Sequence, residues 1–120
     1  MTKYVDGFVL TVRKDQLDLY KEMAELGKRV WMKHGALNYK ECMMDHANPE
    51  GVEFTFPKMA QATEEEVVFF SYIEFESRAH RDEVNAKVMS DPEMNHKDWE
   101  GKMPFDMKKF AYGGFEVFVG

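Results

Sequence analysis

The sequence is poor in cysteine and in long apolar runs, and each shortage excludes a class of protein. The one cysteine, Cys42, has no partner for an internal disulfide, which is typical of a reducing compartment. No run approaches the roughly 20 apolar residues of a membrane span. The apolar stretch at residues 4–12 is too short for a secretory signal. The sequence therefore predicts a cytoplasmic protein with no membrane partner.

Basic residues are also scarce, since 16 Lys and Arg stand against 22 Asp and Glu and give a net charge of −6. Nucleic acids attract clustered Lys and Arg, but here these residues are dispersed among acids, so we expect no nucleic-acid partner. What the sequence does have is ten Phe and ten Met within 120 residues. This length predicts a single domain over residues 1–120 that can fold without a disulfide or a metal.

The stretch at residues 66–92 organises the rest of the chain. It begins with the most apolar run of the protein, which predicts a strand at residues 67–75 with apolar side chains on both faces. A helix follows with almost no loop, with Ser77 as its N-cap and Pro92 setting its end. Val84 and Val88 mark the inward stripe of this helix.

The other elements follow from the same periodicities. We predict a strand at residues 4–12, a helix at 14–34, a strand at 37–45, and a last strand at 115–119 after a Gly113-Gly114 turn. Between them, residues 46–65 form a long connection with a short extended piece, and one helical turn is expected at 93–99. The order β-α-β-β-α-β, with right-handed crossovers, predicts an α+β ferredoxin-like fold. In it both helices cover one face of a four-stranded antiparallel sheet, whose first and third strands are central.

The opposite face of this sheet needs a cover. The third strand carries apolar side chains on both faces, with Val67, Phe69, Ile73 and Phe75 on one and Val68, Phe70 and Tyr72 on the other. A bare apolar patch of either kind is unusual on a monomer. The favoured interpretation is a homodimer packed sheet to sheet, as in a dimeric α/β barrel. The alternative is that the connection at residues 46–65 folds across this face.

Several blocks of the sequence resemble the YbaA-like family of small bacterial proteins of unknown function. They are YVDGFVL at residues 4–10, HGAL and YKEC at 34–42, SRAHRDEVNAKVMSDP at 77–92, MPFD at 103–106 and YGGF at 112–115. The resemblance implies the dimeric α/β-barrel fold. It also implies a wider superfamily of cofactor-free monooxygenases, decarboxylases and haem-handling proteins. It assigns no catalytic residue.

The second long helix carries the candidate site. Its polar residues are expected to reach the interior, either to fix the segment at 93–112 or to line a ligand pocket between helices and sheet. Asp106 could pair with Arg78 or Arg81, and His80 is the weak candidate for an acid or base. The predicted ligand-binding residues are Arg78, His80, Arg81, Asn85, Asp106 and Tyr112.

No metal or cofactor is expected. The residues His34, Glu41, Asp45, His46 and His96 offer donor atoms without any metal-binding spacing, and Cys42 is expected to be a buried structural thiol. Three hypotheses for function stay open. They are a homodimer that binds a small, partly apolar molecule, a cofactor-independent monooxygenase or isomerase, and an interaction module without a ligand.

Overall fold

The computed structural model of the protein describes residues 2–94 and 103–120. Within these residues the strands and long helices follow the predicted order, and one short helix is added. In chain order the elements are β1 (Tyr4–Arg13), α1 (Leu17–Lys33), β2 (Asn38–Met43), α2 (Phe56–Ala60), β3 (Glu66–Phe75), α3 (Arg78–Met89) and β4 (Ala111–Glu116).

The strands form one sheet in the order β2-β3-β1-β4, and the pairings in its described part are all antiparallel. The two longest and most apolar strands, β1 and β3, pair along their whole length, from Tyr4 opposite Phe75 to Arg13 opposite Glu66. The arrangement confirms the predicted ferredoxin-like α+β fold, with the first and third strands in the centre.

The apolar core lies between α1, α3 and one face of the sheet. Because side chains alternate along a strand, β1 turns its even-numbered residues to this face. At one end of β1, Tyr4 packs with Val30 of α1 and Val84 of α3. At the other end, Leu10 packs with Tyr20 of α1. Each fully buried apolar side chain contributes ~1.5–3 kcal/mol. The cluster at Tyr4 holds both helices on the sheet, and the cluster at Leu10 holds the first part of α1.

The boundaries of α3 agree with the prediction. The Ser77 Oγ accepts a hydrogen bond from the His80 N–H at 3.1 Å, and the helix ends at Met89, before Pro92. The helical turn expected at residues 93–99 overlaps a 3-10 turn at Pro92–Met94, and the rest of that prediction lies outside the described residues. Among the described helices, none combines the length and the apolarity that crossing a bilayer requires.

The extended piece expected within residues 46–65 is wrong, because this connection contains α2. The Thr55 Oγ1 accepts a hydrogen bond from the Lys58 N–H at 3.4 Å, and Pro57 lies in the first turn, where its fixed φ favours a helix. α2 packs on β1 and β3 of its own chain. Thr11 and Val68 are buried there, on the sheet face away from α1 and α3. The connection therefore covers one end of that face in its own subunit.

β4 begins four residues earlier than predicted, at Ala111 instead of Phe115. Gly113 and Gly114 are therefore inside the strand and do not form a turn. Gly114 pairs with Asp6, and Tyr4 pairs with Glu116. A Cβ atom on Gly114 would lie 2.2 Å from the Tyr4 Oη, so only glycine allows the tyrosine to cross the edge strand here. The two glycines were predicted to form a turn, but Gly114 instead makes room for the Tyr4 side chain within the strand.

Candidate functional site

A cavity of about 1000 Å³ opens between the helix-covered face of the sheet, α1, and the segments at 89–94 and 103–110. It lies between the two apolar clusters of the core. Its wall is mainly aromatic and methionine side chains. The aromatic side chains that face it are Phe8, Tyr20, Trp31, Tyr39, Phe105 and Phe110, and the methionines are Met23, Met89, Met94 and Met103.

One wall of the cavity carries a carboxylate that is surrounded by hydroxyl groups. Glu41 of β2 accepts a hydrogen bond on Oε1 from the Tyr20 hydroxyl at 2.7 Å, and on Oε2 from the Tyr39 hydroxyl at 2.8 Å. The Ser71 hydroxyl donates a further, short hydrogen bond to Oε1. Three side chains from α1, β2 and β3 therefore hold this carboxylate in one orientation.

The two tyrosines are suited to act as donors at neutral pH. Burial, and second the negative charge of Glu41, raise the pKa of Tyr20 and of Tyr39 above the ordinary value for tyrosine. Both hydroxyls therefore keep their protons and point them at the carboxylate. An ionised carboxylate can only accept hydrogen bonds, and both tyrosines supply donors to Glu41.

Regular secondary structure brings this cluster together. β2 and β3 pair with Glu41 opposite Ser71 and Tyr39 opposite Ile73, so all four side chains share the helix-covered face. On α1, Tyr20 and Gly27 are seven residues apart and lie on the same side of the helix. A Cβ atom on Gly27 would lie 2.6 Å from the Tyr39 Oη, so the glycine makes room for that hydroxyl.

A second polar cluster surrounds Asp6 of β1, which is buried. The Arg81 Nη1 donates hydrogen bonds to the Asp6 Oδ1 at 3.1 Å and to the Tyr112 hydroxyl at 2.7 Å. The Asn85 Nδ2 donates to the Asp6 Oδ2 at 3.5 Å, and the Trp31 Nε1 donates to the Asn85 Oδ1 at 3.0 Å. Trp31 also lines the cavity, so this cluster adjoins the cavity wall.

The Asp6 cluster is held tightly by packing and by charge. The Arg81 guanidinium lies over the Tyr4 ring, 4.9 Å from its centre. The buried Arg81 Nε is 2.8 Å from the Asp82 Oδ1, but without the geometry of a hydrogen bond. Burial raises the pKa of Asp6 above its ordinary value and outweighs the opposing effect of Arg81. The cluster joins α3 to β1 and β4.

The structure brings together half of the predicted ligand-binding residues and separates the rest. Arg81, Asn85 and Tyr112 meet around Asp6. Arg78 is exposed at the start of α3. Asp106 does not pair with Arg81, because that arginine binds Asp6, nor with Arg78. Its carboxylate instead accepts a hydrogen bond from the Lys108 N–H at 2.9 Å and caps a 3-10 turn.

His80 lies away from the cavity. Its Nδ1 accepts a hydrogen bond from the Glu76 N–H at 3.0 Å, and its ring stands edge-on to Phe75. The predicted ligand-binding residues are not among those that line the cavity, and the prediction did not include Asp6 or Glu41, the carboxylates around which the two clusters form. Asp6 stands within an apolar strand, and this isolated acid in a central strand was the signal that could have found it.

Among residues 2–94 and 103–120, no group of three or more His, Cys, Asp or Glu side chains is arranged to hold a metal ion. His34 lies 2.7 Å from the Asp91 Oδ2, and His96 lies outside the described residues. The expectation of a buried thiol is wrong, because Cys42 is exposed on the edge strand β2. Cys42 points to the sheet face away from α1 and α3, which leaves it exposed in the single chain. Its apolar neighbours in the sequence had suggested a buried position.

Comparison with known proteins identifies relatives over the whole chain. A model of a family of proteins of unknown function, DUF1428, matches residues 3–107. The uncharacterised protein YbaA of Escherichia coli K12 is 44% identical over 117 residues, which cover 98% of this chain and 97% of that protein. YbaA of Shigella flexneri shows the same identity and coverage.

Among solved structures, the chain resembles a protein from an uncultured marine organism that is described as a dimeric ferredoxin-like protein. The TM-score is 0.67 at 13% sequence identity, over 100% of this chain and 99% of the other. At this identity the likeness shows the fold alone, and it agrees with the sheet order found here. The family match and the identity to YbaA show that the chain belongs to the DUF1428 family of proteins of unknown function.

Proposed function

We propose that the protein is a homodimer that binds a small, partly apolar molecule in the cavity between the helices and the sheet. The observation that carries this proposal is the cavity itself. Small-molecule sites occupy roughly 300–1000 Å³ and combine an apolar wall with a few fixed polar groups. Here the volume of about 1000 Å³, the aromatic and methionine wall, and the oriented carboxylate of Glu41 meet these requirements.

The wall supports binding of a molecule with an apolar body. Phe105 stacks on Phe110 with ring centres 5.6 Å apart, and Trp31 lies 6.1 Å from Tyr39. Aromatic surfaces bury large apolar areas with little loss of side-chain freedom. The methionines add flexible side chains that can adapt to the shape of a ligand.

The dimer is supported by the sheet face away from α1 and α3. α2 covers only one end of this face, and Phe70 and Phe115 remain 47% and 60% exposed. On α2 itself, Phe56 contacts Phe70 and is also exposed. The similar structure is described as dimeric, which is consistent with a second copy on this face, as in the dimeric α/β barrel predicted from the sequence.

The enzyme alternative receives less support from the geometry. His80, the candidate acid or base, is outside the cavity. Glu41 lines the cavity, but hydroxyl groups already bind both of its oxygens, which leaves few acceptor positions for a substrate proton. We place the protein in the cytoplasm, because Cys42 is the one cysteine of the sequence and has no partner for an internal disulfide, which suits a reducing compartment.

The ligand site is tested by thermal unfolding with a panel of small aromatic molecules. A ligand at 100 times its Kd adds about 2.7 kcal/mol of stability. Ala24→Phe fills the cavity and is expected to abolish this stabilisation, whereas the matched Ala86→Phe on the exposed side of α3 should keep it. Stabilisation that persists in a folded Ala24→Phe protein would exclude the cavity as the site.

The dimer is tested by light scattering, which is expected to give twice the mass of one chain. Phe70→Glu places a charge in the proposed interface and should yield monomers, while Met32→Glu, at an exposed position of α1, should leave the dimer intact. A folded wild-type protein with the mass of one chain at micromolar concentration would contradict the dimer without affecting the ligand proposal.

A further inference from the structure

We infer that the ligand carries an amine, and that its ammonium group binds the Oε2 atom of Glu41 while its apolar body lies against the aromatic wall. This inference rests on the proposed function, because it names the chemical class of the molecule that the cavity takes. It goes beyond the proposal in predicting a charge on the ligand and the atom that recognises it.

The hydrogen bonds that Glu41 accepts leave part of its carboxylate open. An ionised carboxylate has about four acceptor positions, two on each oxygen. Oε1 accepts from both Tyr20 and Ser71, and Oε2 accepts from Tyr39 alone among the described residues. One acceptor position on Oε2 is therefore left for a donor from the ligand. The hydroxyl groups fix the carboxylate but do not neutralise its charge.

The described wall of the cavity contains two acids, Glu41 and Asp91, which differ in their ion pairs. Glu41 forms no ion pair with any Lys, Arg or His in the parts of the chain that are described. Lys40 also borders the cavity, but as the neighbour of Glu41 on β2 it points to the opposite sheet face. Asp91, the other acid in the wall, is already bound by Lys33 at 2.8 Å and by His34.

A carboxylate that forms no ion pair with the described residues and lies next to an apolar wall favours a cationic ligand. Leaving the charge poorly solvated is unfavourable, and a cation that binds there removes this cost. A ligand carboxylate or phosphate would instead meet a like charge. A neutral donor would satisfy the open position on Oε2 without compensating the charge.

The aromatic wall adds to this preference. The faces of Trp and Tyr rings attract cations, and both Trp31 and Tyr39 border the cavity near Glu41. The remaining wall, which includes Phe8 and Phe105, suits a hydrocarbon or aromatic body. The chemical class that matches all three features is a primary amine on an apolar body.

The inference is tested with three probes that share a body and differ in their head group: 3-phenylpropylamine, 3-phenylpropanol and 3-phenylpropanoate. Their dissociation constants are measured by calorimetry at neutral pH. A hydrogen bond to a charged group predicts that the amine binds about 10- to 100-fold more tightly than the alcohol. The carboxylate is expected to bind most weakly of the three.

Glu41→Gln keeps the shape of the side chain and removes the charge, so it should abolish the preference for the amine while the alcohol still binds. Glu22→Gln, at an exposed position of α1 outside the cavity, is the matched control and should keep the preference. If Glu41→Gln does not fold, the three probes on the wild-type protein still decide the inference.

The possible results separate this inference from the function on which it rests. Equal binding of all three probes, or tightest binding of the carboxylate, overturns the amine preference and leaves the cavity as a binding site. An amine preference that survives in Glu41→Gln overturns the assignment to Glu41. Binding of none of the probes also overturns the inference, and the panel with Ala24→Phe then decides separately whether the cavity binds other molecules.

Discussion

Asp6 and Glu41 are two carboxylates on the same face of one sheet, and the protein compensates them differently. Asp6 is 1% exposed and is bound by a cation, Arg81, and by the amide of Asn85. Glu41 is partly exposed and, among the described residues, is bound by hydroxyl groups alone. The comparison indicates that Asp6 is a completed structural contact, whereas Glu41 keeps both its charge and an open acceptor position.

Their places in the sheet explain the difference. Asp6 lies on a central strand directly under α3, where no water can stabilise its charge and a cation from the helix has to do so. Glu41 lies on the edge strand β2 and borders the cavity, so part of its surroundings is open. The charge of Asp6 is therefore stabilised by pairing with Arg81, and that of Glu41 by hydrogen bonds and partial exposure.

Removal of the Arg81 charge should cause the largest loss of unfolding free energy among these substitutions. Arg81→Met leaves Asp6 buried without a cation, and breaking a buried ion pair in this way costs about 3–5 kcal/mol of unfolding free energy. The measurement is unfolding by urea at neutral pH. Glu41→Gln, which leaves no charge unpaired, should cost clearly less.

The control for this prediction is Arg78→Met, the same substitution at the exposed start of α3. It should change stability by less than about 0.5 kcal/mol, as surface substitutions usually do. If Arg81→Met and Arg78→Met have equal effects, the Asp6 cluster is not a structural ion pair. If Glu41→Gln is the more destabilising of the three, the comparison between the two carboxylates is wrong.

A third carboxylate, Glu66, is bound by a lysine, and its contribution to stability should depend on pH. Its Oε1 lies 2.6 Å from the Lys109 Nζ. Although burial opposes the change, hydrogen bonds from Lys109, Thr63 and Thr11 lower the pKa of Glu66 from 4.5 to about 2. A lowered folded-state pKa means that the stabilisation is complete above the unfolded value of 4.5 and is lost as pH falls towards 2. Glu66→Gln should therefore lose about 3 kcal/mol at neutral pH.

The pH dependence provides its own check. The difference in unfolding free energy between the wild-type protein and Glu66→Gln should shrink as the pH falls from 4.5 towards 2, because Glu66 becomes protonated there. Glu64→Gln, at an exposed position next to β3, should show no such difference. A constant difference across this pH range would mean that the effect of Glu66 does not come from its charge.

The smallest expected change in stability comes from a substitution next to the Glu41 cluster, Gly27→Ala. In Gly27→Ala the new methyl group would lie 2.6 Å from the Tyr39 Oη, so the hydroxyl has to move away from Glu41. Alanine improves helix propensity by about 1 kcal/mol, which offsets part of this loss. We expect a net destabilisation of about 1 kcal/mol in urea unfolding.

A double mutant separates the two contributions. In a Tyr39→Phe background the clashing oxygen is absent, so Gly27→Ala should become stabilising by up to about 1 kcal/mol. Thermal or urea unfolding of the four proteins of this cycle measures the coupling directly. The same effect of Gly27→Ala in both backgrounds would show that the contact with Tyr39 does not explain the glycine.

The prediction of the fold from the sequence succeeded where patterns are local. Alternation and apolar content located β1 and β3, and Ser77 and Pro92 set the limits of α3. The errors came where a distant contact decides the local structure. β4 begins at Ala111 because its residues pair with β1, and α2 forms because Thr55 caps a helix that packs on the sheet.

The site was predicted less completely, for the same reason. Arg81, Asn85 and Tyr112 could be chosen because two lie on one helix face and the third precedes a predicted strand. Their shared partner Asp6 is 75 residues from Arg81, and Ser71 is 30 residues from Glu41. No spacing rule joins residues so far apart, and periodicity cannot show which polar side chains converge.

The sequence by itself determined the order of the elements, the central strands and the family, because these depend on short-range propensity and on blocks of residues that can be recognised directly. Only the tertiary structure decided that the connection before β3 covers its own sheet, and that one carboxylate receives a cation while the other receives hydroxyl groups. The physical reason is that propensity acts along the chain, whereas burial and charge compensation depend on which distant residues the fold places in contact.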